Sequence, residues 1–513
     1  MGFASPMNPF PTAHLPESTW SRLLFWFLLL LVFSLSFYLY SPAYYTGLNS
    51  DYALHALMAE DFRLPEDLYI WGENRIGSLL PMLAVPLVKL GLTGLWAMSV
   101  VQYAVLLLSF FIWQSFFRSL WIKLALMFML FIPIYPWQEF VMISHPVTLF
   151  VFFFGLSALM FEKAKAKIAL GAFSTRDYWL AAVLGFVGLW STEQLLVPMG
   201  LMWLVLLFPN GKSDFSALWE KLMNDGQYRK VALLPIPVFL GVAALKLAFV
   251  QRTRANFSKF VSPTEFVDQF SLILFRLKKV LSFDHYLWLS VFTWLCVLSI
   301  MLLLVLLIQK KSFSKREERN HAVPDTVFLL TAAAMFLMVL LSKWVQVNFT
   351  EPRYFVPVVF SMAIFLFKQA ENTKLSFAFA FLMAVGAFTA FAPNDFYNTT
   401  DDTIIRRRKL VEKLEITTPT GIVASYWFAY LSGAVHSPMA LATVFPGDNC
   451  RNPHQVDEVL SKPEIVMINN LWQGELTDTM HMYSRTLVAI APYQVDGLLY
   501  YRRYRVLGSE SSK

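Results

Sequence analysis

A chain of 513 residues that is 57% hydrophobic and only 15% charged is too apolar to be a soluble globular protein. Its formal charge of +7 comes from Lys and Arg clustered in short stretches between apolar runs, the pattern that orients membrane spans, so it gives no reason to look for nucleic acid. The two cysteines, Cys296 in an apolar run and Cys450 near the C-terminus, supply no disulfide framework.

Apolar runs of about 20 residues, each able to cross roughly 30 Å of hydrocarbon, recur along the chain and predict a mainly α, polytopic membrane helical bundle. Residues 1–21 read as a cytoplasmic tail, and residues 22–41 as a first span that acts as an uncleaved signal anchor. Residues 42–81 are then outside, with six carboxylates: Asp51, Glu60, Asp61, Glu66, Asp67 and Glu73. Residues 76–91, interrupted by Pro81 and Pro86, read as a re-entrant or interfacial segment. Further spans follow at 94–115, 119–136, 146–162, 178–191, 195–208, 231–249, 286–308, 326–343, 355–368 and 375–392. This register puts Arg118, Lys163, Arg229, Lys310 and Lys368 inside and leaves the outer turns 137–145 and 191–194 without Lys or Arg. A crossing at 76–91 would invert that pattern. About eleven spans, an inside N-terminus and an outside C-terminus result.

One outer loop, 250–285, is basic against the rule, and its stretch PTEFVDQFSLILFRLKKVLSF reads as an amphipathic helix on the outer surface. It is either a lipid-headgroup anchor or a substrate contact. After residue 393 the composition turns soluble. GIVASYWF, EIVMINN and TLVAIAPY read as β-like runs, and YQVDGLLYY as a hairpin. The expected division is a membrane domain over 1–393 and a small mixed α/β extracytoplasmic domain over 394–513.

The unusual polar residues gather on the outer face. Asp51 opens a short helix, where it or Ser50 can serve as N-cap while Asp51 points into a cavity. Glu60, Asp61, Glu66 and Asp67 read as solvated loop charges. Glu73 and Arg75 return to the membrane beside Tyr69 and Trp71. Glu139, His145 and Glu193 fall on outer turns, and a carboxylate such as Glu193 between apolar spans is costly unless partnered or wet. Arg353 either snorkels beside Tyr354 or presents a guanidinium fork to a phosphate. A carboxylate beside the membrane can deprotonate an acceptor hydroxyl while a cation stabilises a departing lipid phosphate. No P-loop, dinucleotide fingerprint, HExxH or Cys-rich metal pattern occurs, so ATP and soluble nucleotide cofactors have no support.

With SDYALHALMAEDF after the first span, WGENRIGSLLPML at the re-entry, SHPVTLFVFF and GFVGLWSTEQLLVP at the paired turns, RYFVP later and a C-terminal outer domain, the sequence resembles the GT-C superfamily of membrane glycosyltransferases. Within it, the sequence resembles the branch of protein O-mannosyltransferases and lipid A aminoarabinose transferases. The resemblance implies a polyprenyl-phosphate-linked sugar as donor and inverting transfer to an acceptor glycan, lipid or protein. It implies Asp51 as catalytic base and Arg353 as a donor-phosphate contact, and Arg75 joins Arg353 as a second phosphate-binding candidate. Glu193, Glu139, His145, Glu73 and Tyr354 are the supporting or acceptor-binding candidates. The family's carboxylate after the Pro of the third/fourth-span turn is replaced here by Val147, which leaves a divalent metal an open question and no cofactor assigned.

The expected setting is a bacterial inner membrane with the C-terminus in the periplasm. The rivals are a lipid or solute transporter, which calls for charges deep in the spans and a two-fold repeat, and a non-catalytic scaffold. A cysteine introduced at Leu64 should react with a membrane-impermeant maleimide from the outer side only, and labelling from the cytosolic side would remove the first loop from the proposed chemistry.

Overall fold

The computed structural model describes residues 19–45, 47–73, 75–134, 139–142, 147–208, 215–249, 259–282, 322–348, 352–371, 373–388, 402–469, 475–496 and 499–507, with isolated positions between 290 and 305. Helix α1 (Thr19–Tyr40) buries Phe25, Leu29, Val32, Ser36 and Tyr40, spaced three or four apart along one stripe. Its remaining surface is apolar and exposed, with Trp20, Leu23, Phe27 and Leu30 turned outward, as a lipid-facing helix requires. There follow α2 (Ser50–Glu60), α3 (Leu79–Lys89), α4 (Gly94–Gln114), α5 (Leu120–Phe131), the single turn α6 (Glu139–Met142), α7 (Val147–Ala169), α8 (Thr175–Ser191) and α9 (Leu196–Leu207). Then come α10 (Phe215–Asn224), α11 (Gly226–Leu233), α12 (Pro235–Phe249), α13 (Pro263–Leu281), α14 (Asp325–Leu341), α15 (Lys343–Val347), α16 (Val356–Ala370) and α17 (Leu375–Phe388).

Among the described residues, five helices are long and apolar enough to cross a membrane: Thr19–Tyr40, Gly94–Gln114, Val147–Ala169, Gly226–Phe249 and Arg353–Ala370. Others are apolar but shorter, so the mainly helical membrane class holds while a count near eleven goes beyond these helices. The expected span at 286–308 falls largely outside the described residues. Helix α3 supplies roughly 16 Å of length, about half a bilayer's hydrocarbon. The amphipathic helix expected in the basic loop is α13, started by a capping box between Ser262 and Glu265. Val267, Phe270, Leu274 and Leu277 lie exposed along one stripe of it.

The C-terminal part holds α18 (Asp402–Val411), α19 (Tyr426–Val435), α20 (Val456–Leu460) and a mixed sheet. Strands β1 (Thr420–Ala424), β2 (Ala440–Val444) and β3 (Glu464–Asn469) pair in parallel. Strands β4 (Thr479–Met482), β5 (Arg485–Ala489), β6 (Gln494–Asp496) and β7 (Leu499–Leu507) add antiparallel pairs, in the order β2-β1-β3-β7-β5-β4 with β6 on β7. The expected hairpin is β6–β7, with Asp496 opposite Leu499. GIVASYWF divides: its first half is strand, but Ser425 ends β1 and YWF opens α19. Five consecutive buried positions in β1 mark a strand covered on both faces, and α19 is one of its covers.

Helix α2 is buried at Ser50 and from Tyr52 through Ala59 because α3, α4 and α19 all pack on it. Its last residue ties the layers together. Glu60 Oε1 accepts from the Gly94 backbone N–H at 2.6 Å, at the orphan N-terminus of α4, and Glu60 Oε2 accepts from the Ser437 hydroxyl. A side chain at position 94 would meet the Ala56 carbonyl oxygen at 2.3 Å, so only glycine allows this approach.

Burial raises the Glu60 carboxyl above its ordinary range despite those two hydrogen bonds. A carboxyl raised by folding stabilises the fold below its ordinary range and loses that contribution as pH rises through the shifted value. Glu60→Gln keeps an acceptor for Gly94 without the charge, so its melting temperature should improve relative to the parent as pH goes from about 4 to 8. A relative loss over that interval would contradict the burial account.

Candidate active site

A cavity of about 310 Å³ lies where the segment from α2 to α3, the 192–194 turn, the C-terminal end of α14, the start of α16 and the C-terminal part meet. Helix α14 gives it Met335, Met338 and Val339, and α15 gives Trp344 and Val345. Its polar wall comes from loops and helix starts: Asp51, Glu73, Arg75, Glu193, Arg353, Tyr426 and Arg451.

Asp51 sits in the first turn of α2, and the cap is Asn49, neither Ser50 nor Asp51: Asn49 Oδ1 accepts from the Asp51 N–H at 2.8 Å. The Asp51 side chain is thereby released from capping and turns to the cavity. There its Oδ1 accepts a 2.5 Å hydrogen bond from the hydroxyl of Tyr426, the first residue of α19. Burial, with the Asp51 charge second, pushes the Tyr426 hydroxyl far above its ordinary range, so it keeps its proton and acts as donor.

The loop between α2 and α3 is built around Asp67, a residue only 3% exposed. Its two carboxylate oxygens accept from the Trp71 indole N–H and the Arg63 backbone N–H, each at 2.7 Å. Asp61 is also fixed, by Arg63 at 2.7 Å and by Gln455 of the C-terminal part at 2.7 Å. Of the four carboxylates expected to be solvated, Glu66 alone is in an exposed position. Glu60, Asp61 and Asp67 are structural: Glu60 and Asp67 each accept from a backbone N–H, and Asp61 is held by the Arg63 and Gln455 side chains.

That framework presents Glu73 to Arg451. Arg451 Nη1 donates to Glu73 Oε1 at 2.9 Å and to the Gly72 carbonyl at 2.7 Å. Gly72 has φ +71°, and a Cβ there would stand 2.3 Å from Arg451 Cδ, so both backbone shape and space demand glycine. Burial raises the Glu73 carboxyl, with Arg451 and Arg75 opposing the rise. The Arg451 guanidinium also lies 5.9 Å from the centre of the Tyr426 ring.

On the far wall, Arg353 stacks over Tyr354 at 5.2 Å in the short turn Pro352–Phe355 that starts α16. Glu193 is partnered rather than stranded, pairing with Lys246 of α12. Burial, with the Glu193 charge second, pushes the Tyr69 hydroxyl up to about 12. The end of α8 is stapled to the first loop, as Trp190 donates to the Leu68 carbonyl at 3.0 Å and its own carbonyl accepts from Gly77 N–H at 2.9 Å.

Six of the residues singled out in the sequence therefore share one cavity: Asp51, Arg353, Arg75, Glu193, Glu73 and Tyr354. His145 and the Glu139 side chain lie outside the described residues. Among the described residues, no group of three or more His, Cys, Asp or Glu side chains is placed to hold a metal ion. Sequence reasoning missed Tyr426, Arg451 and Trp344. Arg451, in the polar run GDNCRNPH, carries no local signal that it reaches a loop 378 residues away.

No family model matches the chain, and no curated protein matches it. Among solved structures, the crystal structure of ArnT from Cupriavidus metallidurans in the apo state is similar, with TM-score 0.50 and 11% identity over 95% of this chain and 98% of that one. The structure of the same protein bound to undecaprenyl phosphate covers the same shares at 11% identity but with TM-score 0.41, too loose to add weight. At this identity the likeness is one of fold: the chain shares the fold of that ArnT structure along nearly its whole length.

Proposed function

We propose that the protein is a membrane glycosyltransferase that moves a sugar from a polyprenyl-phosphate carrier to an acceptor hydroxyl on the outer face, with inversion at the anomeric carbon. One observation carries the reading: a single cavity gathers the Asp51 carboxylate, the Arg75 and Arg353 guanidinium groups and an apolar wall from α14 and α15. That is the inventory for an amphiphile with an anionic head, placed beside a base. The ArnT-type fold supports the same class. Carriers of undecaprenyl type, outer-face topology and a 394–513 outer domain belong to the same proposal.

In the reaction, the acceptor oxygen attacks the anomeric carbon from the side opposite the phosphate. The bond from that carbon to the phosphate oxygen breaks, and the polyprenyl phosphate leaves with its electron pair. Asp51 takes the acceptor's proton as the new bond forms. Arg353 and Arg75 stabilise the phosphate as its charge grows, a task for which planar, permanently charged guanidinium groups suit better than ammonium. Glu193 and Glu73 act on the acceptor side, each already held by a cation, Lys246 and Arg451 respectively.

Purified protein in liposomes, given a polyprenyl-phosphate sugar and an envelope extract as acceptor, should form a glycosylated product detectable by mass spectrometry. Asp51→Asn should lower its rate by about 10²–10⁴-fold at unchanged expression. Arg353→Gln should chiefly raise the KM for the carrier. Flipping of the carrier with no glycosyl product, or full activity of Asp51→Asn, would overturn the proposal.

A further inference from the structure

We infer that Tyr426, contributed by the C-terminal part, is a positioning residue for the proposed base: its hydroxyl fixes one oxygen of Asp51 so that the other is presented to the acceptor. The inference rests on the glycosyltransferase reading for its catalytic meaning and on geometry for its substance.

The contact joins residues 375 positions apart, at 2.5 Å, inside the cavity. A carboxylate on the first turn of a helix has free rotation about its last bond unless something holds it, and Asn49 has taken over the cap that would otherwise have done so. Tyr426 is itself held on every side. Its N–H donates to Asp448 Oδ2 at 2.8 Å, and its ring lies 5.3 Å from that of Tyr430, at 77°. The Tyr430 hydroxyl donates to Asn452 Oδ1 at 3.0 Å and accepts from the Arg451 N–H at 2.6 Å. Arg451 then reaches across to Gly72 and Glu73. A phenol clamped this way is a fixed donor. Deeply buried, it does not give up its proton to Asp51, so the carboxylate remains the group able to accept one from substrate.

A fixed donor on one oxygen contributes in two ways. It restricts the rotation of the carboxylate, which lowers the entropy lost on reaching the reactive arrangement. It also leaves Oδ2 as the oxygen that takes the proton, which gives the acceptor hydroxyl a defined place beside Asp51. A base held by a second residue is the usual logic of paired catalytic groups, here built from the two ends of one chain.

The test compares the parent with Tyr426→Phe, which keeps the ring and its packing and removes only the hydroxyl, and with Tyr426→Leu. In the liposome assay, Tyr426→Phe should lose roughly tenfold or more in kcat with the carrier KM little changed. Tyr426→Leu should lose at least as much. Labelling with a hydrophobic carbodiimide, read by mass spectrometry at Asp51, gives a second signal that needs no turnover. Removing the hydroxyl should speed modification of Asp51 several-fold at a fixed pH. Unchanged kcat with unchanged labelling in Tyr426→Phe, at a parental melting temperature, would overturn the inference while leaving the glycosyltransferase reading intact. A parent that makes no glycosyl product would instead bring down that reading, and with it the catalytic role, even if the labelling change is seen.

Discussion

The interaction on which the site depends is the Arg451–Glu73 pair. The two side chains are 9% and 12% exposed, and they join the C-terminal part to the loop that returns to the bundle. Removing one partner of such a pair leaves an uncompensated buried charge at a cost of about 3–5 kcal/mol. The pair is more than an ion pair, because the same guanidinium also caps the Gly72 carbonyl and lies beside the Tyr426 ring. One side chain thus ties the loop carrying Glu73 to the first residue of α19, the tyrosine whose hydroxyl meets Asp51.

The bundle below supplies a rigid floor. Trp113 of α4 donates to the Val151 carbonyl at 2.9 Å, and Tyr103 donates to the Ser36 carbonyl at 2.7 Å. Each of these joins two apolar helices through a polar contact that has few competitors in a greasy interior. The loop above has no such depth of packing. It is ordered instead by carboxylates bonded to backbone and side-chain N–H groups at Asp67, Asp61 and Glu60. A region so densely acidic is a scaffold as much as a reactive surface, and only Asp51 and Glu73 in it face the cavity.

Much of this was legible in the chain. Long apolar runs announce helices whatever their neighbours, so α1, α4 and α7 fall where hydropathy places them. The Ser-Pro-Thr-Glu start of α13 spells out its capping box. Asp51 and Arg353 stand out because charge beside an apolar run is conspicuous. The failures share a cause. Whether Asn49, Ser50 or Asp51 caps α2 turns on a backbone angle that composition does not encode. YWF has a strand's residues but follows a serine that ends β1, so sequence propensity lost to the packing of α19 on α2. Strands β2 and β4 are too short and mixed to announce themselves. Tyr426 and Arg451 were invisible because partners hundreds of residues away leave no periodic trace.

That separation has a consequence for how the protein comes into being. The carboxylate is synthesised within the first tenth of the chain, and the tyrosine that meets it only after four fifths have been made. Contacts of such long range form late. A nascent chain already threaded into the bilayer therefore carries Asp51 without its tyrosine partner until the C-terminal part has been made and has docked. Biogenesis itself withholds this contact from every incomplete copy.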